Sequence, residues 1–211
     1  MKINALKIHF SERERESISK EIDSALDEGR LSQGKYVDRL ERSIEKYTGV
    51  RYAVAVNSGS SAIEMAMRLL DVKGKTVLLP SNTFLATAAG VIFAGGKVRF
   101  VDINSKTFAI DYEDLRRKYT DDTVGVIIVH IGGIISSEIE KIADCCNKNN
   151  LWLFEDAAHA HGSTFNGKQA GMFGIAASYS LFATKVITSG EGGYLLTNDS
   201  AFAKKLRLYR N

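Results

Sequence analysis

Apolar positions along this chain recur at two spacings, and the spacing switches near residue 50. Residues 12–28 and 36–47, ahead of the switch, read as two helices from their start and stop signals. Ser11 and Glu14 form a capping box that opens the first helix, and Gly29 is its stop signal. Residues 30–34 read as a turn, and Gly49 stops the second helix. Beyond residue 50, short apolar runs alternate with helically spaced stretches. The runs at 52–56, 77–80, 98–101, 124–130 and 151–154 predict strands. The stretches at 62–70, 85–94, 112–119 and 137–149 predict the helices between them. Two more strands at 176–181 and 193–197 and a helix at 201–209 follow. Runs such as Gly125-Val126-Ile127-Ile128-Val129 are apolar on both faces, as a parallel strand covered by helices requires. The alternation therefore predicts an α/β layered domain with a mostly parallel sheet.

Composition narrows the function classes. The chain has 211 residues, 45% hydrophobic and 25% charged, enough for one sizeable core. No window approaches the 18 uninterrupted apolar residues of a membrane span, and residues 1–14 lack the apolar core of a signal peptide. A net charge of +3 with dispersed basic residues reads as a solvated surface, which sets nucleic acid aside as a partner. Cys145 and Cys146 are adjacent on a helical pattern and point apart, so no disulfide or zinc knuckle is indicated and a cytoplasmic setting is expected. No repeat or low-complexity linker divides the chain.

The chemistry-bearing segments all fall just after predicted strands, where ligands of such sheets bind. Asn57-Ser58-Gly59-Ser60-Ser61 precedes a helix whose first amides, with the hydroxyls, favour a phosphate; the same residues would also serve as a plain helix cap. Phe84 either stacks on a flat heteroaromatic ligand or packs into the core. Glu155 and Asp156 end an apolar run. Strand alternation lets only one of them face a given ligand, and Asp156 is favoured over a reading as surface carboxylate. His159 and His161 with Asp156 suggest three metal ligands, but a helical turn does not aim residues two apart at one ion, and no fourth ligand is near. Lys185 follows a strand carrying Ser178 and Ser180 and precedes Ser189-Gly190-Glu191-Gly192-Gly193. A buried carboxylate and a solitary lysine, each just after a strand-like run, suit pyridoxal 5'-phosphate: the amine can form a Schiff base and the carboxylate can keep the pyridine nitrogen protonated.

With these residues in place, the chain resembles the DegT/DnrJ/StrS family of nucleotide-sugar aminotransferases, within the aspartate-aminotransferase-like fold. The resemblance runs from Leu31 to the C-terminus, through Ala53–Ile63, Pro80–Thr87, Glu155–Gly162, and Thr184-Lys185 to Gly193. It implies a three-layer α/β/α major domain over residues 51–211, preceded by a helical segment over 1–50, with the family's C-terminal small domain absent. It implies an internal aldimine at Lys185, Asp156 at the pyridine nitrogen, Phe84 stacked on the ring and His159 near the 3-hydroxyl. Ser60, Ser61 and Ser180 match phosphate-binding positions. The implied reaction passes an amino group from glutamate or glutamine to a keto group of a nucleotide-linked sugar, in a homodimer that uses neither metal nor membrane. Alternatives are a sugar dehydratase, disfavoured because that branch carries histidine where Lys185 stands, a cyclitol transaminase, or a non-catalytic binding protein.

Overall fold

In a computed structural model, which describes residues 8–210, the switch in apolar spacing marks the entry into the sheet. Residues 1–7, half of the stretch read for a signal peptide, and residue 211, the end of the expected resemblance, lie outside the described residues. Helix α1 (Glu12–Glu28) begins on the expected capping box, with Ser11 Oγ accepting the Glu14 amide and Glu14 accepting the Ser11 amide at 2.7 Å. Gly29 closes it in the left-handed conformation at φ 65°. No residue of α1 is buried. It meets α2 (Lys35–Thr48) through the ion pairs Lys35–Glu28 and Arg39–Glu21.

The strands are β1 (Tyr52–Val56), β2 (Thr76–Pro80), β3 (Lys97–Val101), β4 (Thr123–Val129), β5 (Trp152–Asp156), β8 (Ala176–Ser180) and β9 (Gly193–Thr197). They form one sheet in the order β1-β9-β8-β5-β4-β2-β3. All neighbours from β8 through β5, β4 and β2 to β3 are parallel, and β9 alone runs antiparallel to both its neighbours. A two-stranded hairpin, β6 (Thr164–Phe165) and β7 (Lys168–Gln169), stands apart and was not legible in the apolar pattern.

Helices cover both faces. On one, α3 (Gly59–Leu69), α4 (Leu85–Phe93) and α7 (Ser200–Arg210) bury Ile63, Met67, Val91, Phe202 and Leu206 against Val54, Leu79, Ile127, Phe154 and Leu195. On the other, α5 (Tyr112–Lys118) and α6 (Ile139–Lys148) cover Leu78, Val126, Ile128 and Leu153. Alternate residues of β2 thus face opposite layers, Leu79 one way and Leu78 the other. The second layer continues through α2 and residues 157–172 over Ala53, Ala177 and Leu196. This is the three-layer α/β/α arrangement.

One expected boundary moves in a way that matters. Helix α3 starts at Gly59, not at residue 62, because Ser58 is the residue that caps it: Ser58 Oγ accepts the Ser61 amide at 3.0 Å. Gly59, Ser60 and Ser61 therefore form the helix's first turn, where amides lack partners within the helix.

Candidate active site

Because β9 alone is reversed, the carboxyl ends of β1, β2, β4, β5 and β8 share one edge of the sheet. A cavity of about 550 Å³ opens there, lined by Ser58, Gly59 and Ser60 after β1, Thr83 and Phe84 after β2 and His130 after β4. Asp156 and His159 line it from β5 and the turn beyond, and Ser180, Lys185 and Glu191 from β8 and its loop. Six of the seven expected site residues meet in it. Ser61 does not line it: its hydroxyl lies 2.9 Å from Ser58 Oγ and its amide is taken by the same atom, so it supports the cap instead.

Alternation at the end of β5 separates the two carboxylates. Asp156, 5% exposed, points into the cavity. Its Oδ2 accepts the Thr87 hydroxyl at 2.6 Å and its Oδ1 the Ala158 amide at 3.2 Å. Glu155, 0% exposed, turns the other way. It accepts the amides of Gly171, Phe173 and Gly174, each at 2.7 Å, and meets His130 Nε2 at 2.9 Å. Four donors fill a carboxylate's acceptor sites, so Glu155 is a satisfied structural anion that pins the segment over the second layer. Its neighbour has two donors and a free direction into the cavity.

Lys185 sits in the loop between β8 and β9. The loop is closed at its base by Leu181 N–H to Gly192 O at 2.9 Å and Ser189 N–H to Leu181 O at 3.0 Å. Burial lowers the Lys185 pKa from its ordinary value, and the Asp156 charge opposes that shift. The neutral amine is thereby more populated than on a surface lysine. His159 Nδ1 accepts the Gly132 amide at 3.3 Å, which leaves Nε2 to carry the ring proton. Burial first, then Lys185, lowers the His159 pKa, while Asp156 raises it. His161 is not at the cavity. It lies edge-on to Tyr179 and Tyr194, with ring centroids at 5.0 and 5.9 Å, and burial holds its pKa at about 4. The His-x-His pair is thus split between cavity and core, and no metal-holding cluster occurs among the described residues.

Phe84 is 71% exposed, so the reading of a core-facing ring is overturned and the ring stands at the cavity wall. The position of the first turn of α3 is set by close packing. A Cβ on Gly59 would lie 3.0 Å from Ser180 Cβ, and one on Gly193 would lie 2.6 Å from the Ser58–Gly59 backbone. Bare backbone at these two positions lets the start of α3 sit against β8 and β9. The residues that sequence reasoning missed are Thr87, His130 and Glu191. Thr83 and Thr87, one helical turn apart beside Phe84, were the available signal. The cavity therefore assembles an amine of lowered basicity, an opposed carboxylate, a helix N-terminus with hydroxyls and an aromatic wall.

Comparison with known proteins places this arrangement. The profile of the DegT/DnrJ/EryC1/StrS aminotransferase family matches residues 12–211. GDP-perosamine synthase of Caulobacter vibrioides is 36% identical over 180 residues, 85% of this chain and 48% of that protein. The aminotransferase from Psychrobacter cryohalolentis superimposes with a TM-score of 0.89 at 29% identity, over 95% of this chain and 51% of that one. NtdA from Bacillus subtilis, whose structure holds the cofactor PMP, gives 0.85 at 30% identity, over 93% of this chain and 45% of that one. The chain spans about half the length of the curated relatives it matches.

Proposed function

We propose, from the premise that this chain belongs to the DegT/DnrJ/EryC1/StrS aminotransferase family, that its cavity binds pyridoxal 5'-phosphate. The whole protein would pass an amino group from glutamate or glutamine to a keto group of a nucleotide-linked sugar. The observation that carries this reading is the convergence of Asp156 and Lys185 on one cavity beside the N-terminus of α3. The fit is supported on three sides. The volume falls within the roughly 300–1,000 Å³ of small-molecule sites. A nearly buried carboxylate with only two donors needs a further donor or cation, which a protonated pyridine nitrogen supplies. The first turn of α3 offers amides and hydroxyls to a phosphate.

When bound, the cofactor supplies an electron-withdrawing ring and an aldehyde carbon that condenses reversibly with amines. Asp156 would hold the proton on the ring nitrogen. Ser60, Ser180 and the first amides of α3 would hold the phosphate, with Ser61 acting indirectly through Ser58. Phe84 offers a flat apolar face. His159 presents its Nε2 proton to an oxygen and stays neutral, since burial and Lys185 lower its pKa. Lys185, with its lowered pKa, would present its Nζ as a free amine to the bound cofactor and would carry the proton on and off the carbon that bears the donor's amino group.

Residues 51–211 would form the cofactor-binding unit, preceded by an N-terminal helical segment over residues 1–50. A second copy of the chain is the proposed partner: Phe84, Leu85, Phe182, Val186 and Ile187 are exposed apolar side chains in the segments that frame the cavity. The unpaired cysteines support a reducing, cytoplasmic setting. No helix among the described residues is long and apolar enough to cross a membrane. The test is release of 2-oxoglutarate from glutamate in the presence of a keto sugar nucleotide and pyridoxal 5'-phosphate. The proposal expects release beyond one equivalent per chain that depends on both additions and vanishes in Lys185→Ala; release that persists in that variant overturns it.

A further inference from the structure

Asp156 is held by a chain of two hydroxyls that nothing in the family reading assigns. Thr87 is fully buried in the first turn of α4 and donates to Asp156 Oδ2 at 2.6 Å; Thr83, on the cavity wall, donates to Thr87 at 2.7 Å. The polarity of this chain is fixed by valence. An ionised carboxylate only accepts, so the single proton of Thr87 points to Asp156, and its oxygen is left to accept from Thr83. A helical threonine ordinarily bonds back to a carbonyl of its own helix. Here the hydroxyl crosses to another element, 69 positions away in sequence. With Ala158 N–H on Oδ1, the two donors fix the carboxylate plane and leave its remaining acceptor direction toward the cavity.

We propose that Thr87 is a positioning residue for Asp156, and that Thr83 orients Thr87 in turn. The inference rests on the proposal that the cavity takes pyridoxal 5'-phosphate. Thr87 fixes where Asp156 meets the ring nitrogen and so keeps that nitrogen protonated; it touches neither cofactor nor substrate. Valine at position 87 preserves the branched shape and removes the donor, whereas serine retains it.

The test uses the chain with pyridoxal 5'-phosphate labelled with nitrogen-15 in the ring. Affinity is read by equilibrium dialysis, ring protonation by the nitrogen resonance, and folding by circular dichroism. Loss of one hydrogen bond to a charged group predicts about tenfold to hundredfold weaker binding in Thr87→Val. Its ring resonance should move toward the neutral pyridine position. Thr87→Ser should restore both readouts, and Thr83→Val should fall between. The Thr87→Val loss should vanish in an Asp156→Ala background, because a positioning residue has nothing left to position. If folded Thr87→Val matches the parent chain in affinity and resonance, the positioning role is overturned while the cofactor proposal stands. If the parent chain itself binds no pyridoxal 5'-phosphate, the cofactor proposal falls, and this inference with it.

Discussion

Glu155 and Asp156 are adjacent carboxylates with opposite assignments, and the difference lies in the donors around each. Glu155 accepts three backbone amides and faces His130, all out of water. Glu155→Gln turns an amide N–H₂ toward at least one of those N–H groups and removes the charge, a change expected to cost about 3 kcal/mol or more of stability. Asp156→Asn should cost less stability and instead weaken, without abolishing, the binding of pyridoxal 5'-phosphate. Urea denaturation beside cofactor titration checks the pair, and equal losses of stability in both variants would contradict the division of roles. His161 carries a second residue-scale prediction. Its ring nitrogens are buried without hydrogen-bond partners among the described residues, and burial, then Lys185 and His159, hold its pKa at about 4. The unfolded chain has an ordinary histidine near 6.5, so between about 6.5 and about 4 it binds a proton that the fold refuses. Stability is therefore intact above that window and falls as pH drops through it, by up to about 1.4 kcal/mol per pH unit from this group. His161→Phe keeps the edge-on packing and should flatten that acid-side slope. Unchanged slopes in denaturation midpoints at several pH values would refute it.

At the scale of elements, the first turn of α3 is held in place by two kinds of contact, a cap and a close approach. Ser58→Ala removes the cap and should cost about 1 kcal/mol. Gly193→Ala places a Cβ about where the Ser58–Gly59 backbone lies, so it should displace the cradle from β9 and weaken phosphate binding more than it lowers stability. Inorganic phosphate competition against pyridoxal 5'-phosphate reads this directly; undiminished affinity in folded Gly193→Ala would contradict the cradle. The long strands and helices from α2 onward were legible because each buries an apolar stripe or run that the sequence displays, Gly125–Val129 in β4 being the clearest case; α1, which buries no residue, was legible from its capping box and from Gly29. Asp156, Lys185, Phe84 and the segment around Ser60 stood out in the sequence because each lies at the carboxyl end of a strand or in the loop that follows it. The start of α3, the β6–β7 hairpin and the packing partners of His161 were not legible. His161 is seated by packing on Tyr179 and Tyr194, and the other two features by short-range bonds, the Ser58 cap on the Ser61 amide and the pairing of Thr164 with Gln169; none of these leaves a periodic mark. Thr87 was hidden for the same reason, since its partner lies across the sheet edge.

Across the whole molecule, the layers are tied near β1 by one buried acid. Glu41 of α2 accepts from Arg210 of α7 at 2.6 Å, from Arg207 at 3.3 Å and from the Ala55 amide at 2.9 Å. Glu41→Ala would leave a largely buried Arg210 without its counter-charge, at an expected cost of about 3 kcal/mol. That tie sits away from the cavity, so the variant should lose melting temperature but keep cofactor affinity; the reverse pattern would show that α2 and α7 contribute to the site itself. The sheet, with β9 alone reversed, gathers five strand ends and their loops on one edge, and that gathering is the basis of the functional reading. Its most direct test is to add pyridoxal 5'-phosphate to the purified chain, reduce with borohydride, and map the modified residue by peptide mass spectrometry. The prediction is a visible absorption band that disappears on reduction, with the pyridoxyl group fixed on Lys185 and no band in Lys185→Ala. Labelling spread over surface lysines, or an unchanged band in that variant, would contradict it.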